Sequence, residues 1–173
     1  MEIFLKEHIR DVPDFPKPGI VFKDITPLLQ NHEAFDRIIR SFVERYEGKG
    51  VDAVVGIESR GFLFGAPLAH QLGASFVPVR KKGKLPYKTV DISYDLEYGS
   101  ATIEMHTDAI RKGQKVVVVD DLLATGGTAG AACELIAGQG GKVLECAFVV
   151  ELSFLCGREK ITRAPVFSLV NYE

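Results

Sequence analysis

Apolar positions along this chain change period several times, and each change marks an element. Leu5, Ile9 and Val12 are spaced for one face of a short first helix, which ends before Pro13. Pro16, Pro18 and Gly19 then make a rigid turn into the apolar run Ile20-Val21-Phe22. Thr26 reads as the cap of a further helical turn, with Pro27 at the first helical position. Phe35, Ile38, Ile39, Phe42, Val43 and Tyr46 recur at helical spacing and predict a helix over residues 32–46. Residues 53–57 are a continuous apolar run of strand length. Residues 62–72 follow as a helix stopped by Gly73, and 75–80 as another strand. Ala101, Ile103 and Met105 alternate with polar residues, the period of a half-exposed strand. Four consecutive valines at 116–119, bounded by polar residues, predict a strand buried on both faces. A helix over 127–138 comes next, then strands at 143–150 and 166–170.

Alternating strands and helices imply one α/β domain over residues 1–173, a largely parallel twisted sheet flanked by helices. Ligands of such sheets bind beyond the carboxyl ends of the strands. The turn Glu58-Ser59-Arg60-Gly61 and the segment 120–128 both fall at such ends. Residues 81–100 break the alternation. They are rich in lysine, tyrosine and glycine, lack a firm period, and have the length of a lid or a solvated hairpin.

Composition narrows the partners. A chain of 173 residues fits one domain with a sizeable core. A net charge of −2 and a pI near 6.1 leave no global basic field for nucleic acid. The basic residues gather locally instead, at Arg80, Lys81, Lys82 and Lys84. No apolar run approaches membrane-spanning length, and the first fifteen residues lack the apolar core of a signal peptide. Cys133, Cys146 and Cys156 have no metal-ligand spacing and read as reduced thiols of a cytoplasmic protein. No cluster of histidine, cysteine and carboxylate suggests a tightly bound metal.

The chemistry concentrates in KVVVVDDLLATGGT, residues 115–128. Two adjacent carboxylates, Asp120 and Asp121, lead into a loop of small residues, Ala124, Thr125, Gly126, Gly127 and Thr128, at the start of a helix. Free N–H groups and the positive end of the helix dipole make such a loop an anion site, most naturally for phosphate. Acids beside a phosphate cradle make sense when the ligand is a sugar phosphate, whose vicinal hydroxyls donate to them. A Walker A loop is excluded because Gly127 is followed by Thr128-Ala129 rather than Lys-Ser or Lys-Thr. No G-x-G-x-x-G spacing occurs, which excludes a dinucleotide fingerprint.

This acids-plus-small-loop pattern resembles the phosphoribosyl-diphosphate signature of the type I phosphoribosyltransferases. FPKPGIVFKDITPLL (15–29), GIESRGFLFGAPLA (56–69), VRKKGKLP (79–86), LEYG (96–99) and VVELSFLCGREK (149–160) narrow the resemblance to the adenine phosphoribosyltransferase family, in the family's order. The resemblance implies the type I fold, with an N-terminal base-binding hood over 1–30 and a flexible catalytic loop over 81–100. It implies transfer of a phosphoribosyl group from phosphoribosyl diphosphate to adenine, giving AMP and pyrophosphate, by a homodimer in the cytoplasm. Asp120 and Asp121 would then face the ribose, and Ala124 to Thr128 the 5′-phosphate. Ser59, Arg60, Arg80, Lys81 and Lys84 would meet pyrophosphate, with Arg60 and Lys84 helping it depart. Phe22 would stack on adenine, with backbone groups of Val21 and Lys23 facing its edge, and Glu97 would handle its proton. Magnesium would enter with the diphosphate. Two alternatives stand beside this reading: a 6-oxopurine as the base, and a regulator that binds the same ligands without turnover.

Overall fold

The computed structural model describes residues 1–96 and 99–173. Among these, seven strands form one sheet in the order β5-β6-β4-β3-β7-β8-β9. Its centre is parallel: β3 (Ala53–Ile57) lies between β4 (Ser75–Lys81) and β7 (Lys115–Leu123), followed by β8 (Lys142–Leu152) and β9 (Val166–Tyr172). One edge is antiparallel, where β5 (Thr89–Leu96) and β6 (Gly99–His106) pair with each other and β6 pairs with the end of β4.

Side-chain alternation sorts the core into two layers. Val55, Val116, Val118, Cys146 and Phe148 pack on the face covered by α5 (Gly127–Gly138). Val54, Val117, Val119, Ala147 and Val149 pack on the opposite face, under α3 (His32–Tyr46) and α4 (Gly61–Leu72). The four valines of β7 are fully buried, each contributing about 1.5–3 kcal/mol relative to an exposed side chain. α3 begins at Asn31, whose side chain accepts from the Ala34 amide at 3.0 Å, and it buries Ile38, Phe42 and Tyr46. At its far end the Tyr46 hydroxyl donates to buried Glu145, which Arg45 also grips with both arms of its guanidinium. Burial pushes the Glu145 carboxyl up, but these donors outweigh it and hold it below the ordinary glutamate value.

Four expectations need correction. The first helix, α1, covers only Glu2–Lys6. Arg10–Pro13 is strand β1, antiparallel to β2 (Val21–Asp24), because Val12 and Pro13 find cross-strand partners in Phe22 and Val21. Thr26 opens α2 (Thr26–Gln30) but does not cap it; Asp24 accepts from both the Thr26 amide and its hydroxyl. The segment 81–100 is not aperiodic throughout: 82–88 carry no strand, but the β5–β6 pairing runs from Thr89↔His106 to Leu96↔Gly99, the hairpin of the two readings. Finally, β7 continues through Asp120 and Asp121 to Leu123, because β8 offers pairing partners as far as Glu151.

Candidate active site

At the end of β7 the chain must turn sharply to start α5, and glycine makes this possible. Gly126 has φ of +78°, and a Cβ there would stand 2.0 Å from the Gly157 carbonyl oxygen. A Cβ on Gly157 would stand 2.2 Å from the carbonyl oxygen of Ala124. Two backbones therefore lie in contact, and the strap 153–160 supports the loop from behind. The strap is itself tied down. Arg158 reaches buried Glu151 with Nε and Nη2, both at 2.6 Å, and the Val166 carbonyl at 2.9 Å. The fork of Arg158 holds the Glu151 carboxyl below its ordinary value. In front of the loop is a cavity of about 100 Å³, bounded by Asp120, Thr125, Gly126, Gly127, Thr128 and Phe148. Its floor is the first turn of α5, whose leading N–H groups lack carbonyl partners within the helix.

Asp120 lines this cavity, Asp121 is buried next to it in sequence, and the Asp121 amide donates to Asp120 Oδ1 at 2.9 Å. Burial, then the neighbouring charge of Asp121, pushes Asp120 well above the usual carboxylate range. Burial also raises Asp121, against the opposing pull of Arg60. Arg60 Nε lies 3.0 Å from Asp121 Oδ2, an ion pair without hydrogen-bond alignment, so this buried oxygen has no hydrogen bond.

Arg60 can approach because α4 starts at a residue with no side chain. A Cβ on Gly61 would meet the Val119 carbonyl oxygen at 2.7 Å and Asp120 Oδ1 at 2.9 Å. The preceding Glu58–Ser59 peptide is cis, and Ser59 is exposed. Glu58 turns away to bind Arg80, at 3.3 Å from Nε and 3.1 Å from Nη2, and accepts from the Lys81 amide at 2.9 Å. Burial of Glu58 works against ionisation, but Arg80 and the amide leave its carboxyl lower than usual. Lys81 and Lys84 are exposed, and the Lys84 carbonyl accepts from Arg80 Nη1 at 3.2 Å. Buried Glu104 on β6 accepts from the amides of Lys84 and Leu85 at 3.0 and 2.8 Å, fixing the backbone that carries Lys84.

The segment expected to meet the base lies above this turn. Val21 is exposed, and Phe22 packs edge-on to Phe15 with centroids 5.2 Å apart. The guanidinium of Arg60 lies 5.5 Å from the centre of the Phe22 ring, which joins β2 to the Arg60–Asp121 pair. Lys23 sends its ammonium away, to Asp11 at 2.6 Å and over the Tyr172 ring, leaving only its backbone for the role expected of it. Glu97 lies outside the described residues.

Phe22, Arg60, Asp121 and the 120–128 loop thus form one chain of contacts, while Arg80 is drawn toward Glu58 and the Lys84 carbonyl, and Lys81 and Lys84 are exposed. Sequence reasoning gave no role to Tyr94, Glu104, Glu151 or Arg158. A tyrosine at the third apolar position of Val90-Ile92-Tyr94 was the available sign for the first of these; Glu104 acts through amides 20 and 19 positions away, and Glu151 and Arg158 act through each other across a turn that has no periodic pattern.

Residues 24–167 match the Phosphoribosyl transferase domain family. The chain is 56% identical over 168 residues to the adenine phosphoribosyltransferase of Roseiflexus sp. (strain RS-1), covering 97% of this chain and 98% of the relative. A crystal structure of adenine phosphoribosyltransferase from Thermoanaerobacter pseudethanolicus superposes with a TM-score of 0.95 at 49% identity, covering 99% of this chain and all (100%) of the other. The Saccharomyces cerevisiae enzyme, complexed with adenine and D-2,5-dideoxy-2,5-imino-altritol 1,6-bisphosphate, does so with a TM-score of 0.92 at 45% identity, covering 97% of each chain. Fold, site and relatives agree, and the chain belongs to the adenine phosphoribosyltransferases of the type I phosphoribosyltransferase family.

Proposed function

We propose that the chain transfers the 5-phosphoribosyl group of phosphoribosyl diphosphate to adenine, in purine salvage, through the surface that joins Phe22 to the 120–128 loop. The observation that carries this reading is the 3.0 Å approach of Arg60 to Asp121. It sets a cation suited to pyrophosphate beside the acids suited to ribose, next to a loop suited to the 5′-phosphate.

The bond from the anomeric carbon to pyrophosphate breaks as adenine N9 bonds to that carbon, and the proton on the imidazole side of the base passes to Glu97. Positive charge develops on the ribose ring during this exchange. Asp120 and Asp121 stabilise it, in a site whose burial strengthens the interaction. The backbone of 124–128, with the Thr125 and Thr128 hydroxyls, anchors the 5′-phosphate and fixes the sugar for in-line displacement. Arg60, with Ser59, receives the departing pyrophosphate, while Arg80, Lys81 and Lys84 approach from β4 and the start of the hairpin. Phe22 stacks on adenine, whose edge faces the backbone of Val21 and Lys23.

Among the described residues no three histidine, cysteine or acidic side chains gather to hold a metal. The one buried Asp121 oxygen without a hydrogen bond is already ion-paired with Arg60, so magnesium would be held by the diphosphate oxygens and ribose hydroxyls more than by these carboxylates. Magnesium carried by the diphosphate supplies charge neutralisation for the leaving group. The hood over 1–30 and the lid over 81–100 enclose the base and the reacting carbon, and the chain works as a homodimer in the cytoplasm.

Pyrophosphate release measured with adenine, hypoxanthine and guanine tests this reading. Adenine is expected to be at least about a hundredfold more efficient. A 6-oxo group in place of the amino donor leaves buried polar groups mismatched, at a cost of roughly 3 kcal/mol. Comparable use of a 6-oxopurine would reassign the pocket, and no release with any base would favour the regulator.

A further inference from the structure

The hairpin β5–β6 touches the 120–128 loop through a side chain that the reaction described above does not use. Tyr94 Oη lies 2.8 Å from Thr128 Oγ1. The tyrosine ring rests against Gly127, where a Cβ would meet Tyr94 Cδ2 at 3.2 Å. Gly127 is therefore bare on both of its sides for a reason: one faces the anion cavity and the other receives the ring. Val90, Ile92 and Tyr94 share one face of β5 and pack against the core layer beneath α5, so the ring is the last contact of an otherwise apolar seam.

Each hydroxyl carries one proton and accepts through its lone pairs. With an empty cavity, either oxygen serves as donor in this pair. An anion on the loop removes that freedom. Thr128 must then point its proton at the anion, and its lone pairs are left to accept from Tyr94. The resulting chain, tyrosine to threonine to phosphate oxygen, runs in one direction, and each bond polarises the next. Docking of the hairpin and occupation of the loop thereby favour each other, and this coupling is reciprocal.

We infer that Tyr94 is a positioning residue that couples occupancy of the 5′-phosphate site to docking of the β5–β6 hairpin, acting through the Thr128 hydroxyl. The inference rests on the reading of 124–128 as a phosphate site. It extends that reading, because Tyr94 stands three positions before Glu97 in sequence. Recognition at the phosphate end of the sugar is thus relayed to the strand that leads to the residue serving the base.

Tyr94→Phe is the decisive variant, since it keeps the ring on Gly127 and removes only the hydroxyl. Ribose 5-phosphate is the probe, with its binding followed by calorimetry and hairpin docking by hydrogen exchange of residues 89–96 and 99–106. In the wild type it should bind and slow exchange across both strands. In Tyr94→Phe it should bind about tenfold more weakly and, at saturation, leave exchange at the ligand-free rate. In turnover, the KM for phosphoribosyl diphosphate should rise by a similar factor and that for adenine should not. Thr128→Val should lose at least as much, and adding Tyr94→Phe to it should cost nothing further. Equal binding and equal protection in wild type and Tyr94→Phe would overturn the coupling alone. Failure of the wild type to bind ribose 5-phosphate would overturn the phosphate site itself, and the coupling with it.

Discussion

At the end of β7 the cavity is walled by backbone, locked in place by the contact of Gly126 with Gly157; the ends of β3 and β4 present charged side chains instead, and those are already engaged. In the proposed reaction the two regions serve one molecule, phosphoribosyl diphosphate, and would hold its two anionic ends by different means. The 5′-phosphate stays bound through the whole reaction, so a rigid cradle suits it. Pyrophosphate must arrive, separate from the sugar and leave. The groups proposed for that end are guanidiniums that already have carboxylate partners, Asp121 for Arg60 and Glu58 for Arg80. A paired arginine exchanges one anion for another, without the large desolvation change of an isolated buried charge.

The comparison breaks most visibly if a single methyl is added to the rigid side. Gly126→Ala places a Cβ where the Gly157 carbonyl oxygen already is, on a residue whose φ of +78° disfavours it. kcat/KM should fall by about three orders of magnitude or more, with a lower melting temperature, as steady-state kinetics and thermal unfolding would show. Retained activity would mean that the loop tolerates displacement and is not the fixed point supposed.

Arg60→Lys sharpens the contrast on the other side. Lysine keeps the charge but loses the fork that spans Asp121 and the anion. About a ten- to thirtyfold loss in kcat is expected, at nearly unchanged stability, since the ion pair is partly exposed. An effect as large as that of Gly126→Ala would show that this end is as unforgiving as the first.

Asp120→Asn carries the smallest of the three expected effects, and its effect on stability has an unusual sign. In the folded state the Asp120 carboxyl is raised above its ordinary value of 3.8, so the fold favours its protonated form. Stability from this source is complete below pH 3.8 and is lost as pH rises through the higher folded value. Asparagine cannot ionise and escapes the loss. The ligand-free variant should melt about 2–4 °C above the wild type at neutral pH, for a gain of ~1 kcal/mol, with the difference closing at acid pH. Turnover should fall together with that gain. A variant that is less stable at neutral pH would contradict the assigned ionisation.

Much of this was legible in order along the chain, and the parts that were not share a cause. α3 and β3 have the bounds their apolar periods predict, because burial there depends on local spacing alone. The β7 loop was readable because its acids and its small residues are contiguous. The first helix was overextended because Leu5, Ile9 and Val12 fit a helical face equally well; only the pairing of Val12 with Phe22 decides for a strand. In β5 the alternation Val90-Ile92-Tyr94 was present but obscured by the lysine-rich approach to it. The supports of the site were invisible for a stronger reason. Glu58 needs Arg80, Glu104 needs the 84–85 amides, and Gly126 needs Gly157, partners that lie 19 to 31 positions away in sequence.

β5 is also the border of the sheet. A strand in that position presents backbone groups to any extended chain that drifts past, which is how ordered proteins begin to clump. Here Asp91 and Asp95 stand exposed on it, and Lys82 bridges to Asp91 at 2.8 Å. Charges on such a rim repel a second copy of the same strand at the distance where pairing would start. The border strand is therefore guarded against self-association by charged residues on its exposed face. Replacing Asp91 and Asp95 with β-branched residues would leave the catalytic groups in place and make crowding the limiting hazard for the protein in the cell.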